Sequence, residues 1–230
     1  ESTFRGLPTT GEAMTIEGTV NRTYVLFVLL MVGVAATIVS EPAALPGLVL
    51  VGAIGGLVAA LATVMRKTWA PITAPVYALL EGLVVGGISL IMEQAYPGIV
   101  FPAVSLTFGT LFALLAAYRS GLIKVTENFK LGVAAATGAI FVVYLAQFLL
   151  GIFGVQVGFL HEAIFGAGLL GIGVSVVVII VAALNLVLDF DFIEQGAANG
   201  APKYMEWYGA FGLLVTLIWL YLEILRLLAK

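Results

Sequence analysis

The sequence contains no cysteine and a single histidine, His161. Thiol nucleophiles, disulfides and thiolate metal sites are excluded, as is any site built from several imidazoles. Charge is scarce as well: 10% of the 230 residues are charged, against about 25% in a soluble domain. The formal net charge of −3 is too small to favour nucleic acid or a polybasic surface peptide. No glycine-rich phosphate loop with its lysine occurs. What fills the chain instead is apolar: 62% of residues, more than a water-facing exterior can hide. Lipid removes that difficulty, so the composition points to an all-α integral membrane protein whose main partner is the bilayer.

Seven continuously apolar stretches follow one another, each near the ~20 residues that cross a ~30 Å hydrocarbon core. They are placed at Thr23–Ser40, Leu45–Met65, Ile72–Met92, Ile99–Tyr118, Leu131–Gly151, Leu169–Leu188 and Trp207–Leu228. Residues 1–22 read as a polar N-terminal tail and 23–230 as one seven-helix transmembrane domain. The longest and least regular connection is Phe153–Gly168. No charged-then-apolar leader with a small-residue cleavage site precedes the first span, so no removable signal peptide is expected. A β-barrel would alternate apolar and polar residues in short segments, and these runs do not. The 27 glycines cluster inside spans, as at Gly52, Gly55 and Gly56 or Gly82, Gly86 and Gly87. Small residues let helices approach closely in lipid, so the glycines are read as helix contacts, with a pore or hinge as the other reading.

Orientation follows from the positive charges. Arg5, Arg22, Arg66, Lys67, Arg119, Lys124, Lys130 and Lys203 fall on one side, and only Arg226 and Lys230 on the other. Trp69, Tyr118, Tyr204, Trp207 and Tyr208 sit at span ends on the richer face. The expected topology has the N-terminus cytoplasmic and the C-terminus outside. Were the last span re-entrant, Arg226 and Lys230 would return to the inner side.

An ionisable side chain within a span is costly and is a functional candidate by default. Glu81 lies nine residues into the third span, roughly 14 Å from its start, with Tyr77 one turn before it on the same face. A glutamate stem is short, so Glu81 is expected to be protonated or paired. Asp189 and Asp191 close the sixth span in Leu188-Asp-Phe-Asp-Phe-Ile193; two residues apart, they point to nearly opposite sides, and only one can face the interior. The bland alternative is a solvated acidic helix end. Glu223 shares a stripe with Gly209, Gly212, Thr216, Trp219 and Arg226, and pairing with Arg226 at i,i+3 would explain it structurally. Enzyme readings fare badly. Ser175 and His161 have no partner motif for an intramembrane serine protease. An intramembrane aspartyl protease needs aspartates from two spans, and both lie on one. No enzyme activity and no cofactor are expected.

The strings Tyr77-Ala-Leu-Leu-Glu81-Gly-Leu-Val-Val-Gly-Gly, Pro97-Gly-Ile-Val leading into Leu106-Thr-Phe-Gly, and Leu188-Asp-Phe-Asp-Phe-Ile before a final span ending Leu225-Arg226-Leu-Leu resemble the transmembrane Bax inhibitor motif family, in its bacterial YccA-like branch. Order and spacing, from about Arg66 to the C-terminus, carry the match. The resemblance implies a seven-helix bundle with the last helix central, in a bacterial inner membrane, conducting a pH-sensitive calcium leak. It implies that an acid on the sixth helix pairs with one on the seventh, and that an arginine ending the second helix holds the closed form. By position, Arg66 matches that arginine and Asp191 or Asp189 the sixth-helix acid. The seventh-helix acid has no counterpart: its place falls near Thr216, which cannot ionise, and Glu223 lies about two turns away, some 10 Å. Glu81 is our candidate for the missing partner, an inference from this sequence rather than from the family's pattern.

Two carboxylates held close cannot both ionise cheaply and share a proton; losing it drives them apart or recruits a cation. Calcium takes about six to eight oxygens, so one or two of Asp189 and Asp191 would hold it only weakly and transiently, as permeation needs. With one acid in place of two, the pH response is expected to be shallow. The alternatives are a small-solute transporter, which would show inverted repeats and a helix broken in mid-membrane, and a scaffold regulating a protease or other membrane protein. No clear internal repeat is present, although Pro71, Pro75 and Pro102 are placed to break helix starts.

Overall fold

The computed structural model describes residues 12–155 and 157–230; Arg5 lies outside them. Among the described residues, 84% are helical and seven helices are long and apolar enough to cross a bilayer. They are α1 (Ile16–Ile38), α2 (Leu45–Met65), α3 (Ala70–Ala95), α4 (Val100–Arg119), α5 (Glu127–Ile152), α7 (Leu169–Ala198) and α8 (Met205–Leu228), with the short α6 (Gly158–Phe165) between α5 and α7. Large apolar side chains such as Val32, Ile54, Leu57, Phe101, Phe112 and Phe141 stand exposed, the surface that lipid solvates and water would not. The chain is a multi-pass membrane protein.

Several boundaries differ from the sequence reading; α5, for instance, starts at Glu127 rather than Leu131. The polar N-terminal segment is shorter than 1–22, because α1 starts at Ile16, where the Thr15 side chain caps it by accepting from Gly18 N–H. α7 runs on through Asp189 and Asp191 to Ala198, since acidic residues interrupt hydropathy without breaking a helix. The irregular segment after α5 holds α6. α3 is continuous through Pro75, so the prolines break no span in mid-membrane. α8 is a continuous helix of 24 residues and is the most enclosed span: 56% of its membrane window is buried, against 6–39% in the other six.

The helices form two compact units, and α7 and α8 each supply a stretch to both. In the first, the described residues up to Pro97 with 189–218, α3 packs on α1 and α2. Glycine makes this possible: a Cβ on Gly82 would collide with Leu30 O and come within 2.9 Å of the Gly33 Cα, and one on Gly52 would lie 2.6 Å from Leu80 O. Backbones touch where side chains would hold them apart, so helix contact is the right reading of these glycines. The Thr37 hydroxyl donates across the α1–α3 contact to Leu83 O at 3.2 Å, and the Thr63 and Thr73 hydroxyls join α2 to α3 at 2.7 Å. The second unit comprises residues 98–188 with 219–230. There Asn185 Nδ2 donates to Thr137 Oγ1 at 2.8 Å, tying α7 to α5.

Candidate functional site

Asp189 lies on α7 nine residues before its C-terminal end at Ala198, about 14 Å along the axis. Its carboxylate faces α8. The Thr216 hydroxyl donates to it, and Gly212, one turn earlier on α8, leaves the room: a Cβ there would sit 3.3 Å from Oδ1. Oδ2 is shielded from solvent and has no hydrogen-bond partner. Buried polar atoms are normally satisfied, and one that is not calls for an explanation. Aromatic rings join α8 to α3: Phe211 meets Tyr77 of α3 edge-on, with centroids 5.0 Å apart, and contacts Tyr208 at 6.4 Å.

Asp191 occupies a different environment. Both side chains are half-buried, but Gln195 Nε2 donates to the Asp191 Oδ2 at 2.6 Å. The two aspartates therefore do not act as a pair, as their spacing required. Among the described residues no three acidic or imidazole groups converge to hold a metal ion. A cation at this site would have Asp189 as its one carboxylate, with the Thr216 oxygen beside it.

Glu81 is half-buried on α3 and points toward α2, where its Oε2 lies 3.0 Å from the position a Gly56 Cβ would take. The groups on Asp189 are Thr216 and Gly212, and Glu81 is not among them. The side chain at the expected seventh-helix place is thus a hydroxyl that hydrogen-bonds the acid. Arg66 follows α2, is exposed, and lies over the Trp69 ring at 4.7 Å.

Within the second unit, Glu223 is buried and fully engaged. Tyr144 OH donates to Oε1 at 3.1 Å, Arg226 Nη1 lies 3.0 Å from both carboxylate oxygens, and the Trp219 side chain also bonds to it. The same Arg226 nitrogen donates to Tyr144 OH at 2.8 Å. This is a structural clamp between α5 and α8, with every oxygen served. Past the end of α8, Lys230 donates to Gly171 O at 2.7 Å; partial burial and the neighbouring Arg226 hold its pKa below the ordinary lysine value.

One acid escaped the sequence reading. Glu206, in the first turn of α8, is 0% exposed. Its Oε1 accepts from Thr15 N–H and from the Thr15 hydroxyl, each at 3.1 Å, and lies 3.2 Å from Lys203 Nζ. Arg22 Nε stands 3.8 Å from Oε2, its guanidinium over the Trp207 ring at 4.8 Å. Starting the last span at Trp207 left Glu206 outside it. The available signal was an acid at a helix N-terminus, where the dipole favours it.

The pattern shared by Bax inhibitor 1 like proteins matches residues 2–230, nearly the whole chain. The chain belongs to that family. Among curated proteins, none matches it.

Proposed function

We propose that this protein is a passive leak pathway for cations, calcium foremost, in a plasma membrane with its N-terminus cytoplasmic, and that the proton on Asp189 governs the leak. The observation that carries the reading is the Asp189 carboxylate: in a membrane span, with one oxygen bonded to Thr216 and the other shielded and unpartnered. An intramembrane acid is costly unless it serves a purpose. An unserved buried acceptor costs about 1–3 kcal/mol, and either a proton or a passing cation supplies the missing partner. With the proton, the site is neutral and has nothing to offer a cation. Without it, the charge attracts one, yet a single carboxylate holds calcium too weakly to trap it. The two occupants compete for one oxygen, which couples conduction to pH.

Chemistry at Asp189 needs no enzymatic step, and no cofactor enters the reading. The test is calcium uptake into liposomes containing the purified chain, beside Asp189→Asn and protein-free vesicles. A protein-dependent flux that falls to the protein-free level, or loses its pH dependence, in Asp189→Asn supports the reading. Absence of flux in the unsubstituted protein overturns it and directs attention to solute transport or to a membrane-protein partner.

A further inference from the structure

Residues Glu12–Thr15, ahead of α1, lie across the turn that joins α7 to α8. Met14 N–H donates to Ala201 O at 2.6 Å, and Lys203 N–H donates to Glu12 O at 3.0 Å, so that Ala13 and Pro202 pair in antiparallel fashion. The turn they rest on is set by Gly200, whose φ of +64° suits glycine. Between these hydrogen bonds the Met14 side chain turns inward. It is 2% exposed and packs with Ile193, Ala201 and Met205, with Phe192, Tyr204 and Tyr208 around them.

The position of Met14 relative to Asp189 can be read from two helices. On α8, a Cβ on Gly209 would meet Ile193, Thr19 and the Met14 methyl at 3.2–3.6 Å, whereas one on Gly212 would meet Asp189. On α7, Ile193 and Asp189 are likewise one turn apart. Met14 therefore fills the layer one turn, roughly 5 Å, from the carboxylate, on the side where α1 and α8 begin and α7 ends.

What keeps Met14 there converges on Glu206. Two backbone hydrogen bonds make a bridge too short to be stable alone, and the contact of Lys203 Nζ with Glu12, 3.6 Å long on an exposed glutamate, is worth little. The buried attachment is the Thr15 N–H and hydroxyl on Glu206, itself flanked by Lys203 and Arg22. Gly18 belongs to the same device, since any Cβ there would collide with the Glu206 carboxylate.

We propose that residues 12–15 form a releasable plug over the approach to Asp189, with Met14 as its stopper and Glu206 as its catch. The inference rests on the leak reading for its purpose, but its test does not. The chain has no cysteine, so Asp189→Cys supplies a single thiol at the site. Its reaction with a water-soluble maleimide is followed in nanodiscs, where both faces are open to reagent. Labelling is expected to be slow with the strap intact and several-fold faster when Met14→Ala or Glu206→Gln is added. Met14→Leu, which refills the layer, should restore the slow rate. Equal rates in all variants overturn the plug, and so does fast labelling in Met14→Leu, which would mean that the segment had been disrupted rather than unplugged. Calcium flux through Met14→Ala with Asp189 intact separates the two ideas. Faster labelling with raised flux supports both, while faster labelling with flux at the protein-free level keeps the plug and removes the leak.

Discussion

At Asp189 the two carboxylate oxygens have unequal lives. One receives the Thr216 hydroxyl and the other receives nothing. Replacing Thr216 by Val removes the remaining donor and leaves the acid wholly unserved, at a cost of about 1–3 kcal/mol. The expected outcome is a lower melting temperature in detergent together with weaker flux at a pH where the unsubstituted protein conducts. Thr216→Asp does the reverse experiment, placing a second carboxylate against the first. Two acids at that separation titrate as a pair in two macroscopic steps, so the flux profile should gain a second step. A profile unchanged by Thr216→Asp would mean that Asp189 and residue 216 do not meet in the conducting protein. Asp191 is held by Gln195, and Asp191→Asn should leave the pH dependence where it was.

At the scale of helices, small residues set the spacing and buried polar groups lock the partners. Gly33 meets the backbone of α3, whereas Gly138 of α5 has open space around it. Gly33→Ala should force α1 from α3 and lower thermal stability by several degrees; Gly138→Ala should be neutral or slightly stabilising, since alanine is the better helix former. Glu223→Gln breaks the clamp with Arg226 and Tyr144 and leaves a cation short of its partner, a loss of about 3–5 kcal/mol for a buried pair. Because every Glu223 oxygen is engaged, that loss should appear as lower stability with the pH midpoint of flux unmoved. A shifted midpoint would restore Glu223 to the ion path.

Helix placement was legible in the sequence because hydropathy is the property that lipid selects, and the central parts of all seven spans needed nothing more. The ends were less legible. α1 gains its first turns from the Thr15 cap, and α7 keeps its last turns through three acids, neither of which is a matter of apolar content. The inward aspartate could be narrowed to two by helical spacing, but choosing Asp189 required α8 beside it. Thr216 was visible only as the residue standing where an acid was expected; that its hydroxyl serves Asp189 is a fact of packing. Glu206 was hidden for a similar reason, since its partners Thr15 and Arg22 lie far away along the chain.

For the whole molecule, seven spans and family membership establish a membrane protein of the Bax inhibitor 1 like kind, and the leak is the claim built on them. Charge is sparse enough that one acid can control it. Ionised Asp189 attracts the cation and protonated Asp189 does not, so calcium flux should rise with pH as the proton leaves. The most direct measurement is the initial rate of calcium entry into liposomes, taken from mildly acid to mildly alkaline pH, for the unsubstituted chain and for Asp189→Asn. The expected result is a rise no steeper than a one-proton titration in the former and a flat line in the latter. A pH-dependent flux that persists unchanged in Asp189→Asn would contradict the account.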